Sequence, residues 1–336
     1  MTSVFPTGKL PAEFLKRMLK DAPASNPRLL VGPGIGLDCA VLDYGEILLV
    51  FKSDPITFAT DQIGWYAVQI NANDIATSGA QPRWFLPTLL LPQGLTTPGE
   101  VERIFEQVHR ACEALGITVI GGHTEITHGI DRPILSATMV GEVLPGALIT
   151  PRGARPGDRL LLSKGVPIEA TAILAREFSD RLADVLDPYS LQQAADYLFS
   201  PGISVYQDAQ IACSAGRVTA MHDPTEGGLL TALWELSQAS QRAVWVDLEA
   251  VLVPELARQL CGFFDLDPLG AIASGALLLT APEDDSRKIL RAWDAADISG
   301  AEIGWIADGQ PGVWQVQAGE VRPVIHPERD EIAKLF

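Results

Sequence analysis

The chain predicts a two-domain protein in which both domains are mixed α/β folds of the α+β type. Three observations carry this. Its 336 residues give two units room for a core each. Hydrophobic residues make up 47% and charged residues 20%, which is the balance of a globular protein. Apolar strand-like runs alternate with helix-period segments in both halves, which fits layers of sheet and helix better than a solenoid. The division falls at 1–150 and 151–336. The stretch LPGALITPRGARPGDR, residues 144–159, is rich in Gly, Pro and Arg and marks the junction.

The elements follow in order. GEILLVFKSD reads as a buried strand with a polar end. DQIGWYAVQINANDIATSGA reads as a helix stopped by Gly79, and PRWFLPTLLLP as an extended apolar segment. TTPGEVERIFEQVHRACEALG is a helix with Thr97 as N-cap, Pro98 at N1, Glu100 completing a capping box and Gly116 ending it. Its apolar stripe is Val101, Ile104, Phe105, Val108, Cys112 and Leu115, so Cys112 is a core residue. ITVIGGHTEIT and RPILSATMVGEVL read as two strands. After the junction, DRLLLSKG is a strand and PIEATAILAREF opens a helical region extending toward DPYSLQQAADYL. GRVTAMHD is a strand leading into a helix. SGALLLTAP, a helix over 283–296 and AEIGWIADG form a strand–helix–strand unit.

Bulk properties exclude several functions. The net charge is −17, and no Lys/Arg cluster supplies the basic footprint of a nucleic-acid binder. A basic membrane-surface helix and a membrane-length apolar run are both missing. The opening MTSVFPTGKLPAEF lacks the apolar core of a secretory signal. The four cysteines, Cys39, Cys112, Cys213 and Cys261, form no CxxC pair. Free thiols in a reducing cytoplasm are the expectation.

Several constellations bear chemistry. In HDPTEGG, Asp223 reads as an N-cap, Pro224 as N1 and Glu226 as the N3 member of a capping box. That leaves Gly227 and Gly228 unexplained, because each weakens a helix by roughly 1 kcal/mol. A metal ion between acid and phosphate, with glycines permitting close approach, is the other reading. In QINANDIATSGAQP, Ile63, Ala67, Ile70 and Asp74 share one helix face, so Asp74 continues a buried stripe and needs a partner. Asn71 and Ser78 lie on its side. VGPGIGLDCAVLD places Gly32, Gly34 and Gly36 before Asp38, with neither a P-loop nor a Rossmann pattern. FKSDPITFATD carries Lys52, Asp54 and Asp61. GGHTEITH carries His123, Glu125 and His128, without HExxH spacing. Scattered acids beside glycine turns suit Mg²⁺ bridging carboxylates to phosphate oxygens.

GIGLDCAVL, KSDPITFATD, NANDIATSGAQP, GGHTEIT and HDPTEGGL together resemble the AIR synthase superfamily. It includes aminoimidazole ribonucleotide synthetase, selenophosphate synthetase, thiamine-monophosphate kinase and the hydrogenase-maturation protein HypE. The resemblance runs from about residue 30 onward, and NDIATSGA and DPTEGGL look most like the HypE branch. It implies two domains of the PurM type, the N-terminal one dimerising through its sheet, with ATP and Mg²⁺ in a cleft lined by both. Metal positions fall on Asp38, Asp54, Asp74 and Asp223. Nucleotide positions fall on Gly34, Gly36, Asn71, Asn73, Gly122, Thr124, Glu125 and Gly227. Lys52 is a candidate phosphate contact, and His123 and His222 are candidates near neutral pKa. HypE proteins carry a terminal cysteine, whereas the last cysteine here is Cys261, so thiocarbamate chemistry is not expected.

The expectation is therefore an ATP- and Mg²⁺-dependent homodimeric enzyme. It phosphorylates an oxygen of a small amide, acyl or phosphate substrate. The rivals are a nucleotide-sensing maturation protein without turnover, and a transition-metal hydrolase using His123, Glu125 and His128.

Overall fold

The computed structural model describes residues 5, 10–20, 22–23, 25–34, 36–57, 59, 61–317 and 319–336. The chain begins with α1 (Ala12–Leu19), β1 (Leu29–Val31), β2 (Ala40–Asp43) and β3 (Leu48–Ile56). There follow α2 (Ile63–Thr77), β4 (Gln81–Pro92), α3 (Pro98–Leu115), β5 (Thr118–Val119), β6 (His123–Thr127) and β7 (Ile134–Val143). The second half runs β8 (Arg159–Ser163), α4 (Ile168–Glu177), α5 (Ser179–Leu182), α6 (Pro188–Ala195), α7 (Tyr206–Ala215) and β9 (Ala220–His222). It continues with α8 (Gly228–Ser240), β10 (Ala243–Val246), α9 (Glu255–Phe263) and β11 (Leu278–Ala281). It closes with α10 (Glu283–Asp294), β12 (Gly300–Ala307), β13 (Gly312–Gln317) and β14 (Glu320–Pro323). Among the described residues, no helix is long and apolar enough to cross a membrane.

Two compact units emerge. The N-terminal unit holds Ser25–Gly32 and Asp38–Leu148. The C-terminal unit holds Met1–Ala24, Pro33–Leu37 and Ile149–Phe336. Among the described residues before Ser25, α1 groups with this second unit, as does the 33–37 segment. Packing explains part of this: a Cβ on Gly36 would lie 2.9 Å from the Glu235 carbonyl of α8.

The N-terminal unit has a seven-stranded sheet, β1-β2-β3-β7-β4-β5, with β6 also pairing with β4. β3 and β7 pair antiparallel from Leu48↔Val143 to Ile56↔Leu135. α2 packs on these two strands and against α3. Every α2 residue except Trp65 is buried, the polar Gln69, Asn71, Asn73, Asp74 and Thr77 included. α3 has the predicted ends, with Thr97 accepting the Glu100 N–H and Gly116 left-handed. Phe105 departs from the predicted stripe and is exposed, while Ala111 is buried beside Cys112. The predicted strand ITVIGGHTEIT is two strands, interrupted at Gly121–Gly122.

The C-terminal unit has a second seven-stranded sheet, β14-β13-β10-β12-β8-β11-β9. Only β10 and β13 pair in parallel among its described strand pairs. Leu229, Leu233 and Leu236 of α8 join Leu160, Leu162, Val244 and Leu278 of the sheet in one core. α7 and α10 pack together, and Trp293 donates its ring N–H to the Asp208 carbonyl at 2.9 Å. The helical region after residue 167 is broken into α4, α5 and α6. Pro188 starts α6, with Asp187 as its cap.

Candidate functional site

In the N-terminal unit, β3 and α2 bring acids and a cation together. Lys52 lies on β3 and is nearly buried. Its Nζ is 3.1 Å from Asp54 and 3.2 Å from Asp74. Burial by itself would lower the Lys52 pKa. Attraction from Asp74, Asp38 and Asp54, with a contribution from Cys39, outweighs burial and holds it well above its ordinary value. Lys52 is therefore a fixed ammonium at neutral pH.

Asp74 is 3% exposed, as its place on the buried stripe requires. Its charge partner is Lys52; Asn71 and Ser78 have other work. Asn71 Oδ1 accepts the Asp54 N–H at 3.0 Å, and Asn71 Nδ2 donates to the Ala67 carbonyl at 2.8 Å. It thus ties the Asp54 backbone of β3 to α2. The Ser78 hydroxyl donates to the Ile75 carbonyl at 2.7 Å. Asn73 is fully buried in the same helix. The Cys39 thiol donates to the Asp74 carbonyl at 3.2 Å, which places the residue after Asp38 against α2.

The GGHTEIT residues form a separate group on β6. His123 Nε2 is 3.1 Å from Glu125, and both side chains are about half exposed. Gly122, His123 and Thr124 border a cavity of about 340 Å³ that His109 and apolar side chains such as Leu89, Ile104, Val108 and Leu135 also line. Among the described residues, His123, Glu125 and His128 do not form a compact three-ligand group.

In the C-terminal unit, β9 ends at His222 and the chain turns through Asp223. His222 Nε2 is 2.9 Å from Glu235 of α8, and Asp223 is fully buried. The capping-box reading is wrong about where α8 begins. The helix starts at Gly228, four residues beyond Pro224, with Gly227 as N-cap and no side-chain cap from its own first turn. Gly227 and Gly228 both have positive φ, +79° and +61°. A Cβ on Gly228 would lie 2.5 Å from the Leu269 carbonyl and 2.6 Å from that of Ala271. Backbone conformation and close approach therefore account for both glycines. Gly34 and Gly36 lie in the 33–37 loop of this unit.

Two buried acids here escaped the sequence reading. Burial pushes the Glu169 carboxyl up to about 7, although the Ser274 N–H donates to it at 3.3 Å. Burial also pushes Asp330 up to about 6, against hydrogen bonds from the Gly227, Ile332 and Ile272 N–H groups. A third buried cluster joins Lys164 to Asp208 at 2.9 Å and Ser163 to Asp208 at 2.6 Å. Glu169 and Asp208 lie inside helices and Asp330 caps a short turn, none within a recognisable motif, so only their burial reveals them.

Residues 36–143 match the family of AIR synthase related protein, N-terminal domain, and residues 155–317 match the corresponding C-terminal domain. The carbamoyl dehydratase HypE of Azotobacter vinelandii is 31% identical over 76% of this chain and 72% of its own length. The selenide, water dikinase of Myxococcus xanthus is 26% identical over 91% of this chain and 92% of its own. A crystal structure of hydrogenase maturation protein HypE in complex with ATP superimposes with a TM-score of 0.72 at 27% identity. That match covers 93% of this chain and 94% of the other.

Proposed function

The chain belongs to the AIR synthase related family and is HypE-like, and on that premise we propose an ATP- and Mg²⁺-dependent enzyme. It transfers a phosphoryl group to an oxygen of a small amide, acyl or phosphate substrate. The observation that carries this reading is the Lys52 ammonium held between Asp54 and Asp74. The ATP complex of the related HypE supports the choice of nucleotide.

The donor chemistry fits Mg²⁺, which takes carboxylate oxygens. The Asp54 side chain is 36% exposed and so has an oxygen within reach of a ligand. We assign Asp38, Asp54, Asp74 and Asp223 to the metal, which when bound neutralises phosphate charge. Lys52 keeps its proton and attracts phosphate oxygens, so it serves as a charge stabiliser rather than a base. Asn71 holds β3 to α2 and keeps Lys52 and the two aspartates in register. Gly34, Gly36, Asn73, Gly122, Thr124, Glu125 and Gly227 are assigned to the nucleotide. His123 is assigned to proton transfer. The assembly is assigned as a homodimer.

ADP production in the presence of Mg²⁺ tests the reaction, with panels of small carboxamides, acyl compounds and phosphate esters as acceptors. One class should raise turnover, and Asp54→Asn should abolish the increase. Turnover that no class raises contradicts an acceptor reaction of this kind.

A further inference from the structure

The segment from His326 to Phe336 is fastened along the C-terminal unit. The His326 ring lies 4.6 Å from the Trp234 ring of α8, centroid to centroid. Glu331 accepts the Asp267 N–H at 3.0 Å, and its own N–H donates to the Gly270 carbonyl at 3.3 Å. Ile332 and Ala333 are buried, and the Phe336 ring packs 5.5 Å from Phe178. Between these anchors Asp330, 7% exposed, turns its carboxylate inward. One oxygen accepts the Gly227 N–H at 2.6 Å and the other accepts the Ile332 N–H at 2.9 Å.

Gly227 N–H is one of the donors that a helix start leaves without an intrahelical acceptor. α8 has no side-chain cap of its own, so Asp330 supplies the acceptor from 103 residues away. The turn it grips closes with Gly228 N–H donating to the Thr225 carbonyl at 2.9 Å. Asp223 stands four residues before Gly227 and two before the turn opens at Thr225. Burial and the nearby Glu226 charge both oppose an ionised Asp330, so the carboxylate is kept despite local electrostatics.

We propose that Asp330 is a positioning residue: it fixes the Gly227 amide and thereby the backbone turn that presents Asp223. The role rests on the Mg²⁺–ATP reading given above. Asp330 acts through backbone, and the His326–Phe336 segment becomes part of the apparatus that sets an acid of the site.

The test uses the full chain as wild type, Asp330→Ala, Asp330→Asn and Glu331→Ala. Glu331→Ala removes another anchor of the same segment without touching the turn. Two readouts are taken: hydrogen exchange of peptides covering residues 223–231, and calorimetric titration of ATP with Mg²⁺. Asp330→Ala should speed exchange in the turn and weaken Mg²⁺–ATP binding by about tenfold. Asp330→Asn, which keeps an acceptor for Gly227, should recover most of both. Glu331→Ala should lower the melting temperature and leave both readouts near wild type. Equal effects of the two alanine variants would reduce Asp330 to general fold support and overturn the proposal. Unchanged exchange in Asp330→Ala, or a loosened turn with unchanged binding, would overturn it too. Wild type that binds no Mg²⁺–ATP would overturn the functional reading itself and this role with it.

Discussion

In the N-terminal unit a buried carboxylate, Asp74, is balanced by a cation, with Lys52 3.2 Å away. In the C-terminal unit Asp330 and Glu169 are held by backbone N–H groups, from Gly227 at 2.6 Å and Ser274 at 3.3 Å. The two solutions differ in the charge they leave in the folded chain. The lysine is locked in its charged form by the acids around it. The C-terminal acids are pushed toward their neutral forms by burial, because oriented dipoles offset charge less completely than an ammonium does. A fixed positive charge suits a phosphate-binding role. A pair of half-compensated acids suits a region whose stability shifts near neutral pH.

The largest effect should come from removing the cation. Lys52→Ala removes the ammonium beside buried Asp74 and should destabilise the N-terminal unit by ~3–5 kcal/mol, measured by urea denaturation. A loss under ~1 kcal/mol would mean that solvent already screens the pair.

In the C-terminal unit Glu169 and Asp330 should stabilise the fold more in acid than at neutral pH. Glu169 ionises near 4.5 when unfolded and near 7 when folded, so the unfolded chain releases its proton first. The Glu169 contribution is therefore full below about pH 4.5 and falls as pH rises toward 7, and the Asp330 contribution is full below about 3.8 and falls as pH rises to about 6. Glu169→Gln should flatten the dependence of melting temperature on pH and stabilise at pH 8 by ~2 kcal/mol. A melting curve as steep in pH as the wild type's would place the effect elsewhere.

Asn71→Ala should cost ~1–2 kcal/mol, since it orphans the Asp54 N–H that links β3 to α2. Its thermal melt should shift less than that of Lys52→Ala, and a larger shift would reverse the ranking of cation and amide. Cys39→Ala removes a weak thiol donor to the Asp74 carbonyl and should cost under ~1 kcal/mol in the same melts.

These residues differ in how much the sequence betrays them. The ends of α3 were legible because Thr97, Pro98, Glu100 and Gly116 act within one turn of the helix. Burial of Asp74 was legible from the stripe it continues. Its partner was not, because a strand-to-helix ion pair leaves no local spacing, and nearby Asn71 and Ser78 offered simpler candidates. HDPTEGG was half legible. The paired glycines flagged an unusual turn, yet the acids imitated a capping box and moved the predicted start of α8 to Pro224. Positive φ at Gly227 and Gly228 delays the start to Gly228. Glu169 and Asp330 were invisible: PIEATAILAREF has an ordinary helical pattern, and Asp330 meets Gly227 only through tertiary folding. Asp208 shares that fate, since nothing in YQDAQIACSA announces Lys164.

In the proposed function, acids of this chain hold Mg²⁺–ATP with Lys52 as the fixed counter-charge. Calorimetric titration of ATP with and without Mg²⁺, on wild type, Asp54→Asn and Asp223→Asn, tests it most directly. Binding should require Mg²⁺ and weaken by about tenfold or more in each variant. No binding by wild type, or binding indifferent to Mg²⁺ and to both substitutions, would contradict it.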